Sequence, residues 1–326
     1  MLNAKKQSSE LRFDVINRDW VVVAEGRGKR PEDFKNEQEV AMKKEKACPF
    51  CDLFNQAKFK DKNIAVIPNK FPAFLPAKKI TIESEKHFFQ KMSSVGFHEV
   101  VVFRDHQKEL ADFSQNDWQE LFSVYQERFF DLSREEIVSY VSIFHNQGQL
   151  AGASQSHPHS QIMAIPFFDA DLGRSISSAH HFFKEKGQCL FCSINRQEKA
   201  SQKRIVFENS NFLAICPFAS KVNFEAVIAP KNHLPFFEKI TPEEKQDLAE
   251  IFQAVLRKLK GGLNNPDYNF YLHTAPCDDR EYHFYHWHFT IMPRVSVWAG
   301  FELGTGIEII TISPERAAEY LRKIKI

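Results

Sequence analysis

Two stretches of this 326-residue chain carry the same landmarks in the same order, at a separation well over 100 residues. A sequence that repeats at that length encodes two similar folding units, which limits the possible architectures more than any other feature. Each copy opens with Cys-x-x-Cys, Cys48-Pro-Phe-Cys51 and Cys189-Leu-Phe-Cys192. An apolar strand ending near proline follows, Ile64 to Pro68 and Phe212 to Pro217. Next comes a strand that starts with glutamate and runs on to a histidine, Glu99 to His106 and Glu225 to His233. Eight residues beyond each histidine stands a helix N-cap residue, Ser114 and Thr241, and amphipathic helices are expected over 115–131 and 242–259. β-Rich segments follow at 138–145 and 268–273. Each copy closes on a His-x-His strand, His157-Pro-His159-Ser-Gln-Ile-Met163 and His286-Trp-His288-Phe-Thr-Ile-Met292. The interval from strand-end histidine to closing strand is 51 residues in one copy (106 to 157) and 53 in the other (233 to 286).

These landmarks predict an α+β protein of two duplicated halves, residues 1–170 and 171–326, each an antiparallel sheet with one long helix. Residues 166–188 would link them. The 32 phenylalanines are read as packing material for the sizeable core that a chain of this length can bury.

Four of the six cysteines fall in the two Cys-x-x-Cys pairs. In a reducing compartment that spacing points to metal ligation, with a thioredoxin-like redox pair as the rival. Neither pair sits in an obvious strand-to-helix turn of a βαβ unit. Zinc takes four Cys and His ligands in a tetrahedron. The repeat supplies Cys48, Cys51, His106 and His157 in the first copy, and Cys189, Cys192, His233 and His286 in the second. Four protein ligands close a site, so both Zn2+ ions would be structural. Cys216 and Cys277 receive no role. His87, His98, His145, His180, His181, His273 and His283 are expected to be structural or exposed.

On an extended strand, residues 157, 159 and 161 share one face. That face carries a ligand imidazole, a second imidazole and a carboxamide, a strip suited to chemistry at phosphorus. The net charge of +1, from 43 basic and 42 acidic residues, gives no reason to expect nucleic acid or an acidic membrane as partner. The chain has no apolar run of about 18 residues that could span a membrane. Residues 1–10 are polar, without the apolar stretch of a signal peptide, and a cytoplasmic protein is expected.

His157-Pro-His159-Ser-Gln161 resembles the active-site motif of the galactose-1-phosphate uridylyltransferases, the transferase branch of the histidine-triad superfamily. Members of that family are built from two such halves, and the resemblance covers about residues 12–325. It implies that His159 attacks the α-phosphorus of a nucleoside diphosphate hexose and expels hexose 1-phosphate. A second sugar phosphate then takes the nucleotidyl group, so that catalysis is covalent and ping-pong. Gln161 would donate to the phosphoryl oxygens. Gly26-Arg27-Gly-Lys-Arg30-Pro31 is similar to the family's arginine motif, which assigns Arg27 and Arg30 to nucleotide phosphate. Pro68-Asn69-Lys-Phe-Pro72 is similar to the nucleoside-binding segment and nominates Asn69. Asn146 and Ser154 match positions that hydrogen-bond the transferred phosphate, and Gly300-Phe301-Glu302 matches a motif whose glutamate contacts the hexose. The resemblance also implies a homodimer, with a nucleotide sugar and a sugar 1-phosphate as partners. Phe289-Thr290 replaces Ser-Gln in the second copy, so His159 rather than His288 is the expected nucleophile.

Three details broaden the substrate class. Ser160 stands where the family commonly has glycine, Gln155-Ser156 where it has Asn-Pro, and Leu303-Gly-Thr-Gly306 follows Glu302. These features also resemble ADP-glucose or dinucleotide phosphorylases, which use the same nucleotidyl-histidine and hand the nucleotide to phosphate. Hexose, base and acceptor stay open at this point. The reading from another class is a non-catalytic zinc protein that binds nucleotide or nucleic acid, for which the Gln161 carboxamide has no use.

Overall fold

The first half contributes four strands and the second five to one antiparallel sheet, with four from each in the same order. The computed structural model describes residues 9–25, 48–86 and 88–326. In chain order the strands are β1 Ser9–Asp14, β2 Asp19–Ala24, β3 Ile64–Pro68, β4 Ile82–Glu85, β5 Phe89–Met92, β6 Phe97–Phe103 and β7 Tyr140–Gln147. They continue as β8 His159–Ile165, β9 Ile205–Glu208, β10 Phe212–Ile215, β11 Ala226–Pro230, β12 Tyr268–His273, β13 His288–Pro293 and β14 Ile309–Ile310. The helices are α1 Gln115–Leu132, α2 Ala170–Lys186, α3 Leu190–Ser201, α4 Pro242–Leu263, α5 Gly300–Thr305 and α6 Pro314–Lys323. The large sheet runs β3-β6-β8-β7-β12-β13-β11-β10-β9. Read outward from the middle, β7-β8-β6-β3 and β12-β13-β11-β10 have the same chain order, with β9 added at one edge. The halves meet at β7 and β12, where Phe144 opposes Tyr271. Those positions lie 127 residues apart (144 to 271), as do the caps Ser114 and Thr241 (114 to 241), so an approximate two-fold axis passes between the two strands. The expected α+β duplication is therefore present, built as one shared sheet.

Both long helices begin as the sequence predicts. Ser114 accepts from the Asp117 backbone N–H while the Asp117 carboxylate accepts from that of Ser114, and Thr241 and Glu244 repeat the exchange. Each helix lays an apolar stripe on the same sheet face, Trp118, Leu121, Phe122 and Tyr125 from α1, and Ile251, Phe252 and Val255 from α4. One core crosses the boundary between the halves. At its centre the rings of Phe122, Phe252, Phe270 and Phe289 meet at centroid distances of 4.9–6.1 Å, which is where much of the phenylalanine is spent. The opposite face is covered more thinly, by Phe54 and Phe59 over Ala65, Val100 and Val102 in the first half.

Residues 166–188, expected as a linker, contain helix α2. Asp169 caps it by accepting from Leu172 N, and Gly187 ends it with φ of 65°. The helix lies outside the landmarks that the two copies share, so the repeat did not reveal it. β2 pairs in parallel with β14, and Arg12 on β1 bridges to Glu315 on α6, which fastens residues 9–25 to the C-terminal end of the chain. Among the described residues no helix is long and apolar enough to cross a membrane.

Candidate active site and metal clusters

The duplicated ligands occupy equivalent places on the sheet. His106 and His233 each lie three residues past a strand end, of β6 and β11, and His157 and His286 each lie two residues before one begins, β8 and β13. Cys51 opens a short 3-10 turn, and Cys189 is the N-cap residue of α3. In the first set Cys48 Sγ lies 3.4 Å from His157 Nδ1, Cys51 Sγ 3.3 Å from His106 Nδ1, and the two Nδ1 atoms 3.2 Å apart. In the second set Cys192 Sγ lies 3.4 Å from His233 Nδ1 and 3.5 Å from His286 Nδ1. The four ligand atoms of each set fall within 4.8 Å of one another, and either set can hold a metal ion.

The outward ring nitrogens explain why the inward ones face each other. His157 Nε2 meets the Phe103 carbonyl at 2.5 Å, His286 Nε2 the Pro230 carbonyl at 2.9 Å, and His233 Nε2 the His283 carbonyl at 2.7 Å. A carbonyl only accepts, so each Nε2 carries the hydrogen and each Nδ1 turns a lone pair inward. The neighbouring Cys192 is the largest influence lowering the Cys189 thiol from its ordinary value. Ring lone pairs converging beside two cysteine sulfurs suit a cation.

The strip on β8 sits beside the first set. Val102 opposes His159 and Val100 opposes Gln161 across the β6 ladder. His159 Nδ1 donates to the His157 carbonyl at 2.9 Å, which leaves the lone pair on Nε2, and that atom has no partner among the described residues. Phe50, from between the two cysteines, packs its ring 5.2 Å from that of His159. His159 is only 7% exposed, and burial holds its imidazole below the usual histidine range. The side chain is a neutral imidazole with one nitrogen fixed and the other free.

Ser160 points to the opposite face. It is fully buried, accepts from Tyr125 Oη at 2.6 Å, and lies 3.1 Å from His145 Nδ1. Burial pushes the His145 imidazole down to about 3. His145 is structural, as expected.

Asn69 and Asn146 reach the neighbourhood of the strip. Asn69 Oδ1 accepts from Phe71 N at 2.9 Å, and its Nδ2 lies 3.0 Å from His98 Nε2, which in turn lies 2.8 Å from Gln161 Oε1. His98 is thus a neighbour of the strip that sequence reasoning passed over. Its only signal is a polar ring in register with Val100 and Val102 on one face of the strand. The β7–β8 ladder ends at His145 and Ser160, and Asn146 and His159 are the next residues on the two strands. Asn146 Oδ1 accepts from Asn269 Nδ2 at 2.7 Å, so its amide hydrogens remain for another acceptor. Ser154 is exposed in the turn that precedes β8. Glu302 caps its own short helix α5 by accepting from Ala299 N at 3.0 Å, and no hydrogen bond or ion pair joins it to the strip among the described residues. Arg27 and Arg30 lie outside the described residues.

The second half repeats the geometry around His288, with Nδ1 3.3 Å from the His286 carbonyl and Phe191 5.2 Å from the ring. Two differences separate the sites. His273 stacks on His288 at 4.9 Å, and the buried Thr290 stands where Gln161 stands in the first half.

Fold and strip define the class, a transferase built from two α+β halves on one sheet. The family described as galactose-1-phosphate uridyl transferase, N-terminal domain, matches residues 1–168, and a domain of unknown function (DUF4921) matches residues 89–324. The chain belongs to the galactose-1-phosphate uridylyltransferase family. It is 31% identical to the ADP-glucose phosphorylase of Arabidopsis thaliana, over 99% of this chain and 95% of that one. It is 29% identical to the galactose-1-phosphate uridylyltransferase of Thermotoga maritima, over 97% of this chain and 99% of that one. The crystal structure of an Arabidopsis thaliana ADP-glucose phosphorylase with bound ADP-glucose matches with a TM-score of 0.80 at 30% identity, covering 98% of this chain and 100% of that one.

Proposed function

We propose that this chain is a hexose-1-phosphate uridylyltransferase that carries the uridylyl group on His159 Nε2. The observation that carries the reading is the 2.9 Å bond from His159 Nδ1 to the His157 carbonyl, which fixes the ring and aims the Nε2 lone pair outward. In the first step Nε2 attacks the α-phosphorus of UDP-glucose. An N–P bond forms, the bond from phosphorus to the bridging oxygen breaks, and its electron pair leaves with glucose 1-phosphate. A phosphate oxygen of galactose 1-phosphate then attacks the same phosphorus and returns the lone pair to Nε2. Gln161 and Asn146 supply amide hydrogens to the phosphoryl oxygens, where negative charge gathers in the transition state. Arg27, Arg30 and Ser154 are assigned to phosphate, Asn69 to the nucleoside and Glu302 to the hexose.

Zinc is the metal we assign to both sets. A zinc tetrahedron has S···N edges of about 3.5 Å and N···N edges of about 3.3 Å. The spacings here are 3.3–3.6 Å and 3.2 Å. Bound zinc supplies rigidity, since four protein ligands leave no position for substrate. We assign the protein to the cytoplasm on its polar residues 1–10, and the family resemblance supports a homodimer.

A second reading is adenylyl transfer from ADP-glucose to inorganic phosphate. It is favoured by the 31% identity to the Arabidopsis thaliana phosphorylase and by the glycines of Leu303-Gly-Thr-Gly306. Isotope exchange tests both. Enzyme given UDP-glucose and labelled glucose 1-phosphate, without galactose 1-phosphate, should move label into UDP-glucose. Exchange with ADP-glucose alone moves the assignment to adenylyl transfer, and exchange with neither rejects ping-pong chemistry.

A further inference from the structure

His98 sits at the centre of four polar contacts. Its Nδ1 meets Ala73 N at 3.1 Å, its carbonyl accepts from Asn69 N at 2.8 Å, and its Nε2 lies 2.8 Å from Gln161 Oε1 and 3.0 Å from Asn69 Nδ2. The hydrogen positions follow from the partners. A backbone N–H only donates, so His98 Nδ1 offers Ala73 its lone pair and the ring hydrogen belongs on Nε2. Two side chains face that hydrogen. Asn69 presents its nitrogen, because its Oδ1 already accepts from Phe71 N at 2.9 Å. Gln161 presents its oxygen. The bond therefore runs from His98 Nε2–H to Gln161 Oε1.

A carboxamide is planar, so holding its oxygen fixes where its nitrogen points. With Oε1 tied to His98, the Gln161 NH2 group faces away from β6, and Nε2 has no partner among the described residues. A freely turning amide would present oxygen as readily as nitrogen, and an oxygen aimed at a phosphoryl group repels the charge it should stabilise. The contact also reaches backward. Ala73 N fastens the ring and Asn69 N the backbone carbonyl of the same residue, so the orientation of Gln161 is coupled to the placement of the 69–73 segment.

We infer that His98 is a positioning residue that locks the Gln161 amide with its nitrogen toward the substrate's phosphoryl oxygens. The inference rests on the nucleotidyl transfer proposed above. His98 touches neither the nucleophile nor a metal ligand in any of these contacts. Its effect must pass through Gln161.

A double-mutant cycle on the rate of nucleotidyl-enzyme formation tests this, with intact-mass detection after rapid quench. His98→Phe keeps the ring volume and loses the donor, and should slow labelling by about 10- to 100-fold, with KM little changed, as expected for loss of an interaction made in the transition state. His98→Gln returns an N–H near the Nε2 position and should recover most of the rate. In a Gln161→Ala background His98→Phe should cost almost nothing further. Metal content and melting temperature of each variant report on whether the fold survives. A loss that is as large in the Gln161→Ala background as in the wild type overturns the inference, because it shows a role independent of the amide. Undiminished labelling in His98→Phe also overturns it. Failure of the wild type to label with either nucleotide sugar defeats the covalent mechanism and this inference together.

Discussion

The side chain of His157 belongs to the first metal set while its backbone carbonyl holds the ring of His159. The two functions sit on one residue, with Nδ1 3.4 Å from Cys48 Sγ and the carbonyl 2.9 Å from His159 Nδ1. Anything that shifts the first cluster therefore shifts the nucleophile. In the second half the corresponding residue, His286, makes the same kind of contact to His288, which lacks the carboxamide.

The two clusters should thus differ in consequence. Cys51→Ser and Cys192→Ser should each lower metal content by about one ion per chain. Cys51→Ser should also cut turnover by about 10- to 100-fold, since a displaced support misaims the group it holds. Cys192→Ser should act mainly on melting temperature. Elemental analysis, melting curves and initial rates on the same samples decide the matter, and equal losses of turnover from both variants would contradict the coupling.

Ser160 separates stability from specificity. Its hydroxyl lies on the core face between Tyr125 and His145, opposite the face that carries His159 and Gln161. Ser160→Gly removes the partner of two buried groups and should cost about 2–4 kcal/mol of stability. The preference between UDP-glucose and ADP-glucose should stay where it was. Denaturant unfolding measures the first and competing-substrate rates the second. A change of base preference would show that the position acts on substrate after all.

The halves handle the same glutamate landmark differently, which gives a pH dependence. Glu99 is held by Arg128 through two bonds of 2.7 and 2.8 Å. At the position 127 residues past Arg128 stands Val255, and Glu225, buried with no ion pair among the described residues, is pushed up by desolvation to about 7 against the weaker pull of Lys221. Between its ordinary value near 4.5 and about 7, the unfolded chain releases this proton while the folded chain keeps it. Its contribution is complete below the lower value and is lost as pH rises through the upper one, a change of about 3 kcal/mol. Glu225→Gln cannot titrate, so its stability relative to the wild type should improve from pH 4 to pH 8. An unchanged difference between the two proteins across that range refutes the assignment.

The repeat made most of this architecture legible. Ser114 and Thr241 cap their helices as read, because capping depends on a side chain and an amide three residues on. All eight metal-set residues come together because the same spacing appears twice, which a single Cys-x-x-Cys does not offer. What the sequence hid were contacts without a periodic signature. Helix α2 lies outside the landmarks that the two copies share. The facing of Phe144 and Tyr271, which merges the halves into one sheet, is a tertiary pairing between similar strands. Ser160 marks a departure from the family motif in the sequence, and only strand alternation shows that its side chain faces the core. His98 gives no decisive signal in the sequence because one histidine on a strand says nothing until the 69–73 segment folds over it.

The central claim is that His159, and not its counterpart His288, carries the nucleotide. Intact-mass analysis after incubation with UDP-glucose tests it most directly. The wild type and His288→Asn should each gain the mass of one uridylyl group, and His159→Asn should gain nothing. An adduct that persists in His159→Asn, or disappears in His288→Asn, contradicts the account.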